Sequence, residues 1–220
     1  MPSDEFVGPD FPGRHGFAQV ATGLHAQLLE RGEKPGDLGG LRTAYDRAQS
    51  LFEERYRPCG KPLIAHLVGT ASILAWLRAP LRVIKVGLLH AAHTHGNFGG
   101  VSLESQRWQL RTEFGEEIEE QLYRYYRLVW DGEHICTIQP KLGELDPAER
   151  QVLLVRLANE LEDNLEFGML RSTPSIYHAL YASPLSRRVL KIAEALGHPE
   201  LALALERAFA ATYHAKNPQN

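Results

Sequence analysis

Four histidines fall in two short segments of the chain, and their spacing could build a polar pocket. His66 stands alone, whereas His90, His93 and His95 lie within a few residues of one another. Imidazole is a common transition-metal ligand and the side chain best suited to proton transfer near neutral pH. Residues three apart share a helix face, so His90 and His93 can point the same way. The chemistry available here therefore depends on which other side chains face the histidines.

The elements that must position these histidines are predicted to be helices. Apolar residues recur at helical spacing along most of the chain, and prolines and glycines separate the periodic segments. His66 then lies near the start of a helix opened by Pro62, and His90 lies in the last turn of the next one. Residues 130–145 are predicted to be irregular or a small hairpin, with a β-like piece at 135–138. The predicted helices cover residues 17–31, 41–56, 62–78, 81–93, 102–114, 115–129, 147–167, 175–181, 183–196 and 199–215.

The composition is that of a globular, all-α domain. The 220 residues are 44% hydrophobic and 23% charged, which is enough to bury one core. Residues 1–16 are rich in proline and glycine and are predicted to form a flexible N-terminal arm. Residues 17–220 are then expected to form a single domain.

Charge and hydropathy exclude several classes of protein. A net charge of -3 with mixed signs gives no basic face for nucleic acid. No apolar run is long enough for a membrane span, and the N-terminus lacks the pattern of a signal peptide. Two cysteines, Cys59 and Cys136, are too few for a disulfide framework, so a cytoplasmic location is expected. A small molecule is the expected partner, and the oligomeric state does not follow from the sequence.

Three segments resemble the HD superfamily of metal-dependent hydrolases, and within it the RelA/SpoT-type domain that degrades guanosine tetraphosphate. They are Arg57–His66, Leu88–His90 and Leu157–Asn164, and the match runs in family order over residues 41–170. The resemblance implies an HD-domain-like helical bundle. Residues 66–70 are also similar to an uncharacterised HD-like branch, from which no activity follows. The residues in register with the first family motif are Arg57, Gly60, Pro62, Ile64 and His66.

The chain departs from this family at its carboxylates. Ala91 stands where the family has an aspartate after the histidine, and Thr94 and His95 replace an acidic pair. Asn159 occupies the position of the last metal-ligand aspartate. In the family these groups hold a divalent metal that activates water for attack on phosphorus. Because Mn²⁺ and Mg²⁺ depend on anionic oxygen ligands, we expect no ordinary guanosine tetraphosphate hydrolysis.

The remaining donors leave two alternatives for a metal. His66, His90 and His93 could hold one divalent ion, Fe, Zn or Mn, or no metal binds at all. In the second case the histidines are neutral and hydrogen-bond to a backbone carbonyl or to Asn159. In either case His66, His90 and Asn159 are predicted to face one another, and they are the candidate catalytic residues.

Four other residues are candidate substrate contacts. Arg57 falls where the family places a ring-stacking arginine, and its planar guanidinium suits a nucleobase or a phosphate. His95 and Asn97 lie at the start of a glycine-rich loop that could close over a ligand. Asp163 is the carboxylate predicted to face the pocket.

The charged neighbours of these candidates are predicted to lie in solvent. Glu160 and Glu162 fall on different faces of one helical turn, so most of this acidic charge is expected on a solvated side. Lys61, in the turn before His66, is also expected to be exposed.

Three functions remain open. The first is a metabolic enzyme, a hydrolase or a metal-dependent oxygenase, acting on a phosphorylated or nucleotide-like small molecule in a remodelled HD pocket. The second is a catalytically silent HD-fold protein that binds a small ligand and regulates a partner. The third is a metal-free enzyme that uses a histidine as acid or base.

Overall fold

The fold is an all-α bundle. The computed structural model describes residues 16–165 and 184–216, and in these ranges there is no β-strand. No helix in the described ranges is long and apolar enough to cross a membrane. The α-helices are α1 Ala21–Glu30, α2 Gly39–Leu51, α3 Leu63–Trp76, α4 Leu81–Leu89, α5 Ala92–His95, α6 Leu103–Phe114, α7 Glu116–Arg127, α8 Gly132–Lys141, α9 Pro147–Leu165, α10 Pro184–Ala195 and α11 Pro199–Lys216, with a 3-10 turn at Pro35–Leu38.

Helices α3 and α9 form the centre of the bundle and carry most of the site. Both are buried along most of their length, and α3 packs against α1, α4 and α9. The contact of α3 with α4 is close because Gly87 has no side chain. A Cβ there would lie 2.6 Å from Leu74 Cδ1, so glycine lets the two backbones approach.

Local signals explain where the site helices begin and end. Pro62 and Pro80 immediately precede α3 and α4, where an absent amide hydrogen removes no intrahelical bond. Helix α2 ends at Leu51, earlier than predicted, and Glu54 follows with a φ of 56°. His90 is the C-terminal cap residue of α4, and the chain then turns through Ala91 into the short helix α5.

The prediction for residues 130–145 was wrong. They form helix α8 instead of a hairpin, because Asp131 caps its N-terminus by accepting a hydrogen bond from the His134 amide at 2.9 Å. Ile135 then points into the core and is fully buried. The predicted arm at residues 1–16, apart from Gly16, and the predicted helix at 175–181 lie outside the described residues.

Candidate functional site

A cavity of about 540 Å³ opens between the turn before α3, the end of α4 and one side of α9. Its mouth carries exposed residues, among them Arg55, Tyr56 and His95, and Tyr56 is 67% exposed. Its floor is made of buried and half-buried polar side chains from α3, α7 and α9 and from the end of α4. The floor residues are His66, His90, Tyr125, Arg156, Asn159 and Asp163, with Ala91 and Leu63 beside them and Arg57 reaching in from the turn.

A tight turn holds Arg57 above the floor. The Arg57 amide donates to the Lys61 carbonyl at 2.8 Å, and the Gly60 amide donates to the Arg57 carbonyl at 2.8 Å. Gly60 has a φ of 89°, which a residue with a Cβ rarely adopts. The Leu63 amide closes the turn by donating to the Arg55 carbonyl at 2.8 Å. The backbone of Arg57 is thereby fixed to the first turn of α3.

His66 receives different partners at its two ring nitrogens. Nδ1 contacts the Glu162 carboxylate. Nε2 lies 3.3 Å from Arg57 Nη1 and 3.5 Å from Asn159 Nδ2. Burial lowers the pKa of His66 to about 3, and Arg57 and Lys61 add to this lowering against the opposing effect of Asp163. His66 is therefore neutral at pH 7.

The His90 ring turns one nitrogen toward the backbone and the other toward the cavity. Its Nδ1 lies 2.8 Å from the Gly87 carbonyl, so Nδ1 carries the proton and Nε2 carries the lone pair. No described residue donates a hydrogen bond to His90 Nε2. Its ring lies 5.4 Å from the His66 ring and 5.0 Å from the Tyr125 ring, measured between centroids. Burial, with His66 nearby, lowers the pKa of His90 well below 6.5.

The orientation of the Asn159 amide is fixed by its neighbours. Its Oδ1 accepts from the Tyr125 hydroxyl at 2.7 Å and from Arg156 Nη1 at 3.2 Å. Its Nδ2 donates to Asp163 Oδ2 at 2.9 Å. Turning the amide over would set its NH₂ against a guanidinium and its oxygen against a carboxylate. Asn159 therefore presents NH₂, not oxygen, to His66.

Glu160 and Glu162 of α9 are buried, contrary to the sequence expectation, and Asp163 is buried beside them as a residue of the pocket. Glu160 pairs with Arg156 at 2.7 Å, Glu162 pairs with Lys61, and Asp163 pairs with Arg57. Lys61 is likewise mostly buried rather than free in solvent. Burial raises the pKa of both Glu162 and Asp163, and the paired cations oppose that rise. Glu162 and Lys61 belong to the site although sequence reasoning placed both outside it.

The donors of the site do not fit a divalent cation at the position that the HD resemblance implies. Two N–H groups, from Arg57 and Asn159, already point at His66 Nε2. Asn159 turns its oxygen away, and Ala91 offers no ligand atom. The guanidinium of Arg57 instead places a fixed positive charge beside His66.

A second grouping of metal-ligand types lies on the other side of His66. One nitrogen of His66 and one carboxylate oxygen each from Glu162 and Asp163 lie within 4.8 Å of one another. Lys61 and Arg57 already supply the cations for these two carboxylates. The charge of this grouping is therefore balanced by protein side chains.

The remaining sequence candidates lie at the edge of the site or outside it. His95 lines the mouth, and burial lowers its pKa. His93 does not line the cavity; its ring packs against Tyr123 and Tyr126, 6.4 and 5.7 Å between centroids. Asn97 also lies outside the cavity lining, because its amide donates to the Leu51 carbonyl at 2.8 Å and its side chain accepts from Gly99.

Comparisons with known proteins agree with this architecture. Residues 51–128 match a family model described as a domain of unknown function (DUF6817), and this segment holds Arg57, His66 and His90. No curated protein matches the sequence. The fold is similar to a solved structure described as a metazoan ortholog of SpoT that hydrolyzes ppGpp and plays a role in starvation responses. The likeness has a TM-score of 0.55 at 15% identity, over 79% of this chain and 95% of the other. The predicted all-α, HD-domain-like bundle is thereby confirmed.

Proposed function

We propose that this chain is a metabolic enzyme that acts on a small anionic molecule, of phosphorylated or nucleotide-like chemistry, in the altered HD-like cavity. The observation that carries the proposal is the combination of arginines and neutral imidazoles on one cavity. Arg55, Arg57 and Arg156 surround His66 and His90 in a space large enough for a nucleotide-sized ligand. Planar guanidinium groups bind phosphate with paired hydrogen bonds.

Each part of the cavity suits a different part of such a ligand. Arg55 makes no ion pair with another described residue and stands at the mouth, where it can meet an anionic group. The exposed Tyr56 ring beside it offers a face for stacking a nucleobase. Arg57 extends this positive side toward the floor.

His90 is the residue best placed for proton transfer. Its Nε2 lone pair faces the cavity without a donor from the described residues, whereas His66 Nε2 is engaged by Arg57. A bound anion favours the protonated imidazole and so raises the pKa of His90 toward the working range of a general base. His90 would then take a proton from an attacking water or from a substrate hydroxyl.

Binding and turnover of candidate ligands test the proposal. Calorimetry in EDTA against inorganic phosphate, pyrophosphate, nucleotides and sugar phosphates should find a ligand whose affinity falls about tenfold or more in Arg57→Gln, the cost of one charge-assisted contact. The exposed Arg42→Gln, whose arginine pairs with Asp46, is the matched control. The His90→Gln variant should still bind the ligand but should form no product. Binding without turnover would leave a ligand-binding protein, and no binding would overturn the proposal.

Guanosine tetraphosphate gives a separate test of the chemistry. With Mn²⁺ present, the protein should release no pyrophosphate from it, because the carboxylates of the HD-type metal shell are replaced by Ala91 and Asn159. Elemental analysis of untagged protein accompanies this assay. Stoichiometric metal that disappears in His66→Ala/His90→Ala, together with pyrophosphate release, would refute the expectation that guanosine tetraphosphate is not hydrolysed.

A further inference from the structure

A buried contact between α3 and α9 lies directly behind His66 and does not line the cavity. Gly69 follows His66 by three residues, so both lie on one face of α3. A Cβ on Gly69 would lie 2.8 Å from both Cγ and Oε1 of Glu162. The glutamate therefore occupies the space that any larger residue at position 69 would fill. A side chain at position 69 would have to displace Glu162, and also Gln19, whose Nε2 would lie 2.9 Å from the Cβ.

Glu162 uses this space to reach two partners at once. One carboxylate oxygen contacts Lys61 Nζ and the other contacts His66 Nδ1. Only 4% of the residue is exposed. A carboxylate in that position must be matched by hydrogen bonds, because an unpaired buried charge is costly.

The partners at the two ring nitrogens determine where the proton of His66 lies. Arg57 has only N–H donors, and Nδ2 of Asn159 is also a donor, so His66 Nε2 can only accept. In neutral imidazole the other nitrogen then carries the hydrogen and donates it to Glu162. The alternative tautomer would direct Nε2–H at two other N–H groups and leave Glu162 without its donor.

The position of the Arg57 guanidinium depends on this tautomer of His66. Its Nη1 donates to His66 Nε2, and its Nη2 contacts Asp163. These two contacts fix the plane of the guanidinium above the cavity floor. A proton on His66 Nε2 would remove the first contact and replace it with repulsion.

We propose that Glu162 is a positioning residue for ligand binding: it holds His66 as the Nδ1–H tautomer, and His66 in turn holds Arg57 toward the ligand. Gly69 provides the space and Lys61 the balancing charge. The inference rests on the proposed function in one respect, namely that Arg57 binds the anionic group. The relation of Glu162 to His66 and Arg57 stands apart from the identity of the ligand.

Nitrogen NMR of the histidine and arginine side chains tests the first part. Long-range ¹H–¹⁵N spectra, with His66 assigned by its loss in His66→Gln, should show a bare Nε2 and a protonated Nδ1 in the wild type. Glu162→Gln offers a single oxygen to two donors, Lys61 and Nδ1–H, and should retain this tautomer only in part. Glu162→Met leaves Nδ1–H without this acceptor, so Nε2–H should gain population and displace Arg57 Nη1 from the ring. The Arg57 Nη signals, assigned with Arg57→Gln, should broaden by rotation most in Glu162→Met.

Calorimetry with inorganic pyrophosphate tests the second part. Glu162→Met should bind about tenfold more weakly than wild type, as for loss of one oriented charge-assisted hydrogen bond, and the affinity of Glu162→Gln should lie between the two. Leu153→Ala, a destabilising change in the same helix, should alter neither tautomer nor affinity. Should Glu162→Met not fold, Glu162→Asp, which is one methylene too short to reach Nδ1, takes its place.

The outcomes separate the two proposals. If wild type binds no anion but Glu162→Met releases the Arg57 guanidinium, the proposed function falls and the positioning role stands. A wild-type Nε2–H tautomer, or equal Arg57 signals and equal pyrophosphate affinity in all Glu162 variants, overturns the positioning role.

Discussion

At the scale of single residues, the amide of Asn159 organises the polar floor of the cavity. Asn159 links Tyr125 and Arg156 on its oxygen side to Asp163 on its nitrogen side. Each hydrogen bond uses the donor and acceptor character of the amide. The side chain at the position where the HD resemblance implies an aspartate therefore belongs to a hydrogen-bond network of its own.

An aspartate at position 159 should consequently destabilise the protein. In Asn159→Asp a carboxylate replaces the NH₂ that donates to Asp163 at 2.9 Å. We expect a loss of about 2 kcal/mol in the free energy of unfolding at pH 7.5, since a buried hydrogen bond becomes a repulsion between like charges. The loss should be smaller at pH 5.5, where a proton shared by the carboxyl groups at positions 159 and 163 restores the hydrogen bond between them. Urea denaturation at both pH values measures it.

The control for that experiment is Asn97→Asp. The Asn97 side chain is exposed and only accepts from the Gly99 amide, a role that aspartate keeps. Its cost should stay within about 0.5 kcal/mol. An Asn159→Asp protein as stable as wild type at pH 7.5 would contradict the amide network.

The sequence predicted part of this site and missed the rest for a physical reason. His66, His90, Asn159 and Asp163 were placed together by the spacing of motifs and by resemblance, and the structure brings all four to one cavity. The pair of Lys61 with Glu162 joins residues 101 positions apart. This pair depends on the space beside Gly69, which the periodicity of apolar residues does not reveal. The signal available was a glycine one turn after the histidine, inside an otherwise apolar helix.

At the scale of elements, helices were predictable where caps and prolines agreed with apolar periodicity. Pro62, Pro80 and Pro147 marked helix starts correctly. Helix α8 was missed because its turn-forming and β-branched residues disfavour a helix locally, while burial of Ile135 and the Asp131 cap stabilise it. Tertiary packing decided the conformation there.

Helices α6 and α7 are held together by a buried carboxylate. Glu119 is fully buried and pairs with Arg107 and Arg111 of α6, the latter at 2.8 Å. Glu119→Ala removes the shared partner of both arginines and should cost about 2–3 kcal/mol, as for lost hydrogen bonds to charged groups. Chemical denaturation of the purified variant gives the value.

The neighbouring Glu120→Ala is the matched control. Glu120 is partly exposed and pairs with Arg107 and Arg124 at 3.0 Å each. Exposed ion pairs are weak, so its loss should cost less than about 1 kcal/mol. Equal costs for the two variants would show that the α6–α7 contact does not depend on the buried charge.

At the scale of the whole molecule, the buried histidines make folding sensitive to acid. The pKa of His66 is lowered from 6.5 to about 3, chiefly by burial. Below pH 6.5 the unfolded chain therefore binds a proton at this histidine that the folded protein does not bind. Stability present above pH 6.5 is then lost as the pH falls. We expect about 2 kcal/mol from His66 between pH 6.5 and pH 5, at about 1.4 kcal/mol per pH unit.

Two buried carboxyl groups act in the opposite sense. Burial raises the pKa of Glu162 and Asp163, so the folded protein takes up these protons before the unfolded chain does. The contribution of His66 is therefore isolated by comparing wild type with His66→Gln in urea titrations from pH 7 to pH 5. The variant should show the shallower decline, whereas His134→Gln, at an exposed histidine, should follow wild type. Parallel curves for wild type and His66→Gln would refute this account.

The turn before α3 has a consequence for ligand selection. Backbone hydrogen bonds join Arg55 to Leu63 and Arg57 to Lys61, so the arginine side of the cavity and the helix that carries His66 form one stiff unit. The opposite rim, the four-residue helix α5, is anchored through the Asn97 amide to the end of α2. With both walls tethered through their backbones, the width of the opening depends on how the side chains of Arg55, Tyr56 and His95 turn at the mouth. Among ligands of equal charge, bulky analogues should therefore bind more weakly than small ones.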